Sequence, residues 1–174
     1  FKIYVHVDKL SKEITEEHIS ELNSMKNVYA IKKYECYWNS YNHLVALIEL
    51  AKMALEDKDI NYIHFSSGED LPIKSPEGIA MFYDNSGNKG FLNFQFPDAM
   101  TDKAVRECWE YYHFLYNGCD VRKAPFCDYV EDMINWQKKH GISKTGLGEF
   151  KKIYKGVIWS SLTREALEFC FRYA

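Results

Sequence analysis

The sequence predicts an α/β fold with a mostly parallel central sheet flanked by helices. In the first 65 residues, short apolar strands alternate with helical patterns, an order typical of parallel sheets with right-handed crossovers. Between Leu44 and Leu55 the apolar residues follow i, i+3, i+4, i+7 spacing, which indicates an amphipathic helix. The 174 residues and 47% hydrophobic content are enough for one domain with its own core.

The remaining elements follow from start, stop and turn signals. A strand is predicted over residues 1–7, a helix opened by Thr15 comes next, and a second strand covers residues 27–31. A central strand covers residues 61–65, and Ser75, which precedes a proline, begins a new helix. The later elements are a strand over 90–96, a helix after Thr101 and Asp102, a helix over 126–140 stopped by Gly141, a strand over 154–162 and a last helix capped by Thr163.

Charge and cysteine content exclude several classes of function. The net charge of −3 gives no electrostatic basis for binding nucleic acid. The five cysteines are odd in number and none has C-x-x-C spacing, which argues against a zinc site and a full set of intrachain disulfides. The cysteine pattern favours a reducing compartment. No apolar run approaches the roughly 18–20 residues that would span a bilayer, and the histidines show no metal-ligand or catalytic-triad spacing.

The stretch SSGEDLPIKS, residues 66–75, is the first candidate site. It follows the central strand, and in open α/β sheets ligands bind at the carboxyl ends of the strands. Gly68 would let a ligand approach the backbone closely, and the Asp70 carboxylate would hold the loop or meet the ligand. The alternative is a loop in which Asp70 bonds only to its own backbone.

Two earlier segments also place polar or aromatic groups at strand ends. Asp8 closes the run IYVHVDK, where a carboxylate suits hydrogen bonding to a nucleoside; capping of the next turn is the alternative. Trp38 begins the run WNSY ahead of the amphipathic helix. Its indole would stack on a base or sugar, with closure of the core as the alternative.

Two later segments carry aromatic and basic residues. Trp159, in KGVIWSSLTREA, offers a flat apolar face suited to the C–H side of a pyranose, with core packing as the alternative. Capping and surface pairing are the expected roles of Thr163 and Arg164 in the same segment. Arg106 and Tyr112 lie in RECWEYYHF, for which a solvated helix face is the simplest interpretation.

These segments resemble the core-2/I-branching β-1,6-N-acetylglucosaminyltransferases, glycosyltransferase family 14. SGEDLPIKS matches the family pattern S-G-x-D-x-P-[IL]-[KR]-[ST] at each fixed position. KGVIWSSLTRE is similar to K-G-S-x-W-x-x-L-[TS]-R-E, with Val157 in place of the usual serine. The resemblance implies a GT-A-like, Rossmann-type nucleotide-sugar transferase fold. It also implies an inverting enzyme that moves a sugar from a nucleotide donor to a sugar hydroxyl.

The resemblance implies roles for particular residues. Those near the ends of early strands would bind the nucleotide-sugar donor: Asp8, Trp38, Gly68 and Asp70. Those in the later segments would bind the glycan acceptor: Arg106, Tyr112 and Trp159. The expected donor is UDP-N-acetylglucosamine, and a xylose donor is the alternative.

No metal cofactor is expected. The one Asp-x-Asp triplet, residues 57–59, precedes the central strand and is predicted to be a solvated helix end. Glu69 and Asp70 lie at the ligand-binding end of that strand, so they are the alternative ligands for a divalent ion. The resembled family works without metal and places basic side chains on the diphosphate, downstream of the residues present here.

Residues 1–174 are interpreted as a single, incomplete glycosyltransferase domain. The general base of the resembled family is a glutamate in a D-E-x-[FL]-[FW] segment expected beyond Ala174, and the family's first strand and helix are expected before Phe1. The catalytic residue is therefore unknown, and the segment alone is expected to be inactive.

Two alternatives to this function remain open. One is a non-catalytic sugar-binding module of the same fold, and the other is a metal-dependent nucleotide-sugar transferase that uses Glu69 and Asp70. The cysteine pattern indicates a cytoplasmic, bacterial-type enzyme of polysaccharide biosynthesis, with peripheral membrane association left open. A trimmed Golgi luminal domain is the alternative location.

Overall fold

A computed structural model describes residues 1–96, 103–144 and 153–172. The chain divides into two compact units. The first comprises Phe1–Lys33, Ala46–Asn93 and Val157–Ala174, and the second comprises Tyr34–Val45 and Phe94–Gly156. The interpretation of residues 1–174 as one incomplete domain stays a prediction.

The first unit opens with the predicted strand–helix–strand motif. β1 (Ile3–His6) pairs in parallel with β2 (Val28–Ile31), and α1 (Glu16–Ser24) connects them. The Asn23 side chain donates to the carbonyl of Ala30 (2.9 Å) and accepts from its N–H (2.7 Å), which fixes the end of α1 to β2. The parallel pairing expected here is confirmed.

The next strand of this unit has a different partner from the one predicted. β3 (Tyr62–Phe65) follows α2 (Tyr41–Leu55) and pairs antiparallel with β6 (Ser160–Thr163). The prediction of a mostly parallel sheet is therefore wrong for β3. Residue patterns indicate that a segment is a strand, but they do not identify its neighbour, and here the neighbour lies almost 100 residues along the chain.

Two helices of the first unit begin at the predicted caps. Ser75 Oγ accepts from the Gly78 N–H (3.2 Å) at the start of α3 (Pro76–Asp84). Thr163 Oγ1 accepts from the Ala166 N–H (3.1 Å) at the start of α6 (Arg164–Phe171). These hydrogen bonds satisfy backbone donors that a helix start leaves without an intrahelical partner.

The end of α2 is held by two charged side chains. Of the triplet predicted to be solvated, Lys58 and Asp59 are exposed, as expected, whereas Asp57 is half-buried. Arg164 donates to the carbonyls of Leu55 (3.0 Å) and Ile60 (2.8 Å) and also to that of Asp57. The Asp57 carboxylate pairs with Lys2. Arg164 thus binds backbone carbonyls in addition to its predicted pairing with a nearby acid, Glu168.

The buried face of α2 consists of small residues. Ala46, Ala51 and Ala54 are buried, whereas Leu44, expected on the apolar face, is 48% exposed. Small side chains allow neighbouring elements to approach the helix backbone. The spacing of large apolar residues in the sequence does not reveal this kind of packing.

The second unit contains β4 (Phe94–Phe96), which pairs antiparallel with β5 (Lys155–Gly156). Its helices are α4 (Lys103–Glu110), a 3₁₀ helix (Leu115–Asn117) and α5 (Phe126–Lys139). Gly141 (φ +63°) follows α5, as predicted for a helix stop. The strand expected over 154–162 is divided between β5 and β6, and the predicted caps Thr101 and Asp102 lie outside the described residues.

Among the helices in the described ranges, none is both long and apolar enough to cross a membrane.

Candidate functional site

The loop after β3 is closed by the side chain of Asp70. Its Oδ2 accepts from the backbone N–H (2.6 Å) and the hydroxyl (2.9 Å) of Ser67, and the Glu69 N–H donates to the Ser67 hydroxyl (3.2 Å). The hydrogen bonds from Ser67, its backbone first, hold the pKa of Asp70 below the ordinary value, and nearby His64 lowers it further. Asp70 therefore holds the loop, and its contact with a donor sugar stays a prediction.

Gly68 lies at the exposed tip of this loop. A Cβ built there would meet no atom within 4 Å, and the residue does not adopt the left-handed conformation. The fold itself therefore does not require glycine at this position. Close approach of a ligand to the Gly68 backbone stays a prediction with a simple test.

An open cavity of about 430 Å³ lies at the β3–β6 pair in the first unit. Its lining is made of His64, residues 90–93, Trp159, Ser160 and Ser161. Trp159 is 43% exposed, so its indole is not a buried core group, which was the alternative to a sugar platform. The cavity thus joins the predicted acceptor tryptophan to the strand that precedes the SGEDLPIKS loop.

A chain of hydrogen bonds includes two residues of the cavity wall, His64 and Ser161. His64 and Ser161 are opposite each other in the β3–β6 register, and His64 Nδ1 lies 2.7 Å from Ser161 Oγ. The Tyr83 hydroxyl, from α3, lies 2.8 Å from the same Ser161 oxygen. The Ser161 backbone exchanges two hydrogen bonds with Phe91 (2.7 and 2.9 Å), which fixes the strand that carries the hydroxyl.

Sequence reasoning missed His64, Ser161 and Tyr83. Alternation along YIHF and SSLT places His64 on one face of its strand and Ser161 on one face of another. That signal is available from the sequence, but the pairing of the two strands is not. The positions of the histidines in the sequence therefore did not indicate that His64 shares a site with Ser161 and Tyr83.

Asp8 caps the turn that follows β1. Its Oδ1 accepts from the Leu10 N–H (2.9 Å), and its carbonyl accepts from the Ser11 N–H (2.9 Å). This is the local role that the sequence offered as the alternative to nucleoside binding. Donor contact by Asp8 stays a prediction.

Trp38 lies in the second unit and is 50% exposed. The Arg122 guanidinium carbon is 5.5 Å from its ring centroid, within the range of a cation–π contact. Arg122 also bonds both oxygens of Asp120 (2.8 Å each), and this pairing lowers the pKa of that carboxyl to about 2. The sequence predicted an exposed stacking role for Trp38 but not its basic neighbour.

The two other predicted acceptor residues also lie in the second unit. Arg106 is exposed on α4 and pairs with Glu110 one turn later (3.1 Å). Tyr112 is 37% exposed and stacks on Phe114 with ring centroids 5.7 Å apart. Gln137, only 2% exposed, binds the Tyr112 backbone N–H and carbonyl (2.9 and 3.0 Å), so the position of that residue is well defined.

The acidic residues offered as metal ligands do not converge. Within the described ranges, no group of three histidine, cysteine, aspartate or glutamate side chains is placed to hold an ion. Of the two candidates, Glu69 and Asp70, the latter is bonded to its own loop. Asp57, in the triplet that was not expected to bind metal, pairs with Lys2. The metal-free mechanism stays a prediction.

A glycosyltransferase family matches this α/β chain over almost its whole length. The family is described as Core-2/I-Branching enzyme, and its model matches residues 2–173. The chain therefore belongs to that family, as its motifs predicted, and its class is that of transferases with a nucleotide-sugar donor and a glycan acceptor. A search of the curated proteins found no match.

Proposed function

We propose that the protein is an inverting glycosyltransferase that moves N-acetylglucosamine from UDP-N-acetylglucosamine to a glycan hydroxyl without a metal ion. The observation that supports this most is the cavity that Trp159 and His64 line, because β3 leads from it directly into the SGEDLPIKS loop of the family. A sugar ring has an apolar C–H side that fits a partly exposed indole and hydroxyls that fit the polar groups around it.

The reaction is a direct displacement at the anomeric carbon. A carboxylate takes the proton from the acceptor hydroxyl. The oxygen of that hydroxyl then forms the new glycosidic bond to the anomeric carbon as the bond from this carbon to the UDP oxygen breaks. Cationic side chains stabilise the charge on the departing diphosphate. In this proposal Asp8, Trp38, Gly68 and Asp70 serve the donor side, and Arg106, Tyr112 and Trp159 serve the acceptor side.

Donor binding tests the proposal on the 174-residue chain itself. Thermal unfolding is followed with UDP, UDP-N-acetylglucosamine and UDP-xylose, each with and without EDTA. A ligand at 100 times its dissociation constant adds about 2.7 kcal/mol to the free energy of unfolding. Stabilisation by UDP-N-acetylglucosamine that survives EDTA supports the proposal, and a larger effect of UDP-xylose changes the donor. Stabilisation that EDTA removes supports the metal-dependent alternative instead.

Transfer is measured in the longest natural form of the protein. Consumption of UDP-N-acetylglucosamine that depends on a glycan acceptor is the expected result. Sugar binding without donor consumption identifies the non-catalytic module. Trp159→Ala is expected to raise the acceptor KM, whereas Trp136→Ala, which removes an indole of similar exposure from α5, leaves it unchanged.

A further inference from the structure

The hydrogen bonds that link His64, Ser161 and Tyr83 fix the orientation of the His64 ring. Nδ1 is held by the Ser161 hydroxyl at 2.7 Å, and that hydroxyl is only 2.8 Å from the hydroxyl of Tyr83. Ser161 is 6% exposed, so water competes poorly for its hydroxyl. His64 itself is exposed and lines the cavity, which leaves Nε2 as the ring nitrogen available to a ligand.

The direction of the two hydrogen bonds between Tyr83, Ser161 and His64 determines the tautomer of the neutral ring. If Tyr83 donates to Ser161 and Ser161 donates to Nδ1, both hydroxyl protons have acceptors and the ring proton is on Nε2. In the reverse direction Nδ1–H donates to Ser161, Ser161 donates to Tyr83, and the Tyr83 proton has no acceptor among the described residues. Both arrangements make two hydrogen bonds, but they differ in the proton left over. In the first it is Nε2–H of the exposed His64 ring, which solvent or a ligand in the cavity can accept, whereas in the second it is the hydroxyl proton of half-buried Tyr83, so the first arrangement is favoured.

We propose that His64 Nε2–H is a ligand-binding donor that orients a pyranose ring lying on Trp159. The inference rests on the proposed function. Ser161 and Tyr83 are positioning residues, since they act by fixing the tautomer and the ring plane of His64. The matching group on the ligand is a neutral acceptor, a hydroxyl or ring oxygen of the sugar. The indole selects the apolar side of the ring, and His64 selects which polar edge enters the cavity.

Two substitutions separate this role from a purely structural one. In His64→Gln the side-chain amide nitrogen reaches the place of Nε2, whereas in His64→Asn it reaches only the place of Nδ1. The probes are methyl β-D-glucopyranoside and methyl β-D-galactopyranoside, titrated against the ¹⁵N-labelled chain by NMR. Trp159 indole and backbone shifts report binding, and UDP-N-acetylglucosamine is titrated in parallel.

We expect His64→Gln to stay within about threefold of the wild-type dissociation constant, and His64→Asn and His64→Phe to bind about fivefold or more weakly. His140→Gln, a change of another exposed histidine on a different element, leaves binding unchanged. The ring ¹⁵N shifts of neutral His64 should show the Nε2–H tautomer. If His64→Phe does not fold, the Gln and Asn variants still decide the matter.

Other results overturn the inference. Equal binding by all the His64 variants, better binding by Asn than by Gln, or an Nδ1–H tautomer would each exclude Nε2 as the donor. Binding of UDP-N-acetylglucosamine without binding of either pyranoside removes the inference and leaves the proposed function standing. No binding of any sugar or nucleotide sugar contradicts the proposed function itself.

Discussion

The loop at Ser67–Asp70 follows β3, and the His64–Ser161 pair joins β3 to β6, but the two features are built in opposite ways. The hydrogen bonds of the loop join residues three positions apart, on an exposed surface. The bond between His64 and Ser161 joins residues 97 positions apart, and its serine is almost fully buried. The first feature is local chemistry, whereas the second depends on how distant strands meet.

This difference has an energetic consequence. A local loop gains little when the chain folds, since its residues are already neighbours in the unfolded chain and its groups stay hydrated. A long-range, partly buried contact is made only in the folded state, and its loss leaves polar groups without partners. Substitutions of long-range contacts should therefore lower the free energy of unfolding more than substitutions within the loop.

The largest expected effect is that of Arg164→Met, which removes the donor to the carbonyls of Leu55, Asp57 and Ile60. Hydrogen bonds from a charged group contribute about 1.5–3 kcal/mol, and partial rehydration of the carbonyls offsets part of the loss. We expect the free energy of unfolding in urea to fall by about 2–3 kcal/mol. Arg172→Met, an exposed arginine near the end of α6, should change it little; equal losses in both variants would contradict the role assigned to Arg164.

An intermediate effect is expected at Ser161. Ser161→Ala removes the partner of both His64 and Tyr83, and we expect a loss of about 1–2 kcal/mol in the free energy of unfolding. Tyr83→Phe should cost about 1 kcal/mol alone and less in the Ser161→Ala background, because the bond it removes is already absent. Strict additivity in this double-mutant cycle would show that the two hydroxyls do not interact.

The distinction between local and long-range contacts also explains which features could be predicted from the sequence. The caps Ser75 and Thr163, the stop at Gly141 and the motif that identified the family all depend on neighbouring residues, and all were recognised. The antiparallel partner of β3 was missed. His64 and its serine were missed for the same reason, because a period of two residues defines the faces of a strand but not the strand across from it.

A smaller effect on the free energy of unfolding is expected from the protonation of Asp70. Hydrogen bonds in the loop lower its pKa in the folded state, so its contribution to stability is present above the unfolded value near 3.8 and is lost as the pH falls through the folded value. Asp70→Asn should remove this contribution, and the stability difference from wild type should shrink below pH 3.8. Asp132→Asn, on the exposed side of α5, is the control. A difference that grows on acidification would show that the sign is wrong.

The smallest effect on stability is expected at Gly68, and this makes it the most informative test of the loop. A Cβ would meet no atom of the protein within 4 Å at either Gly68 or Gly118, and neither residue adopts positive φ. Both glycine-to-alanine changes should therefore alter the free energy of unfolding by less than about 1 kcal/mol. If a donor approaches the loop backbone, Gly68→Ala alone should weaken binding of UDP-N-acetylglucosamine, by about tenfold for a lost 1.4 kcal/mol. Unchanged binding would mean that neither the fold nor the ligand requires a glycine at position 68. The SGEDLPIKS loop would then act only through the strand and helix it connects, and the cavity at His64 and Trp159 would be the better guide to where the sugar binds.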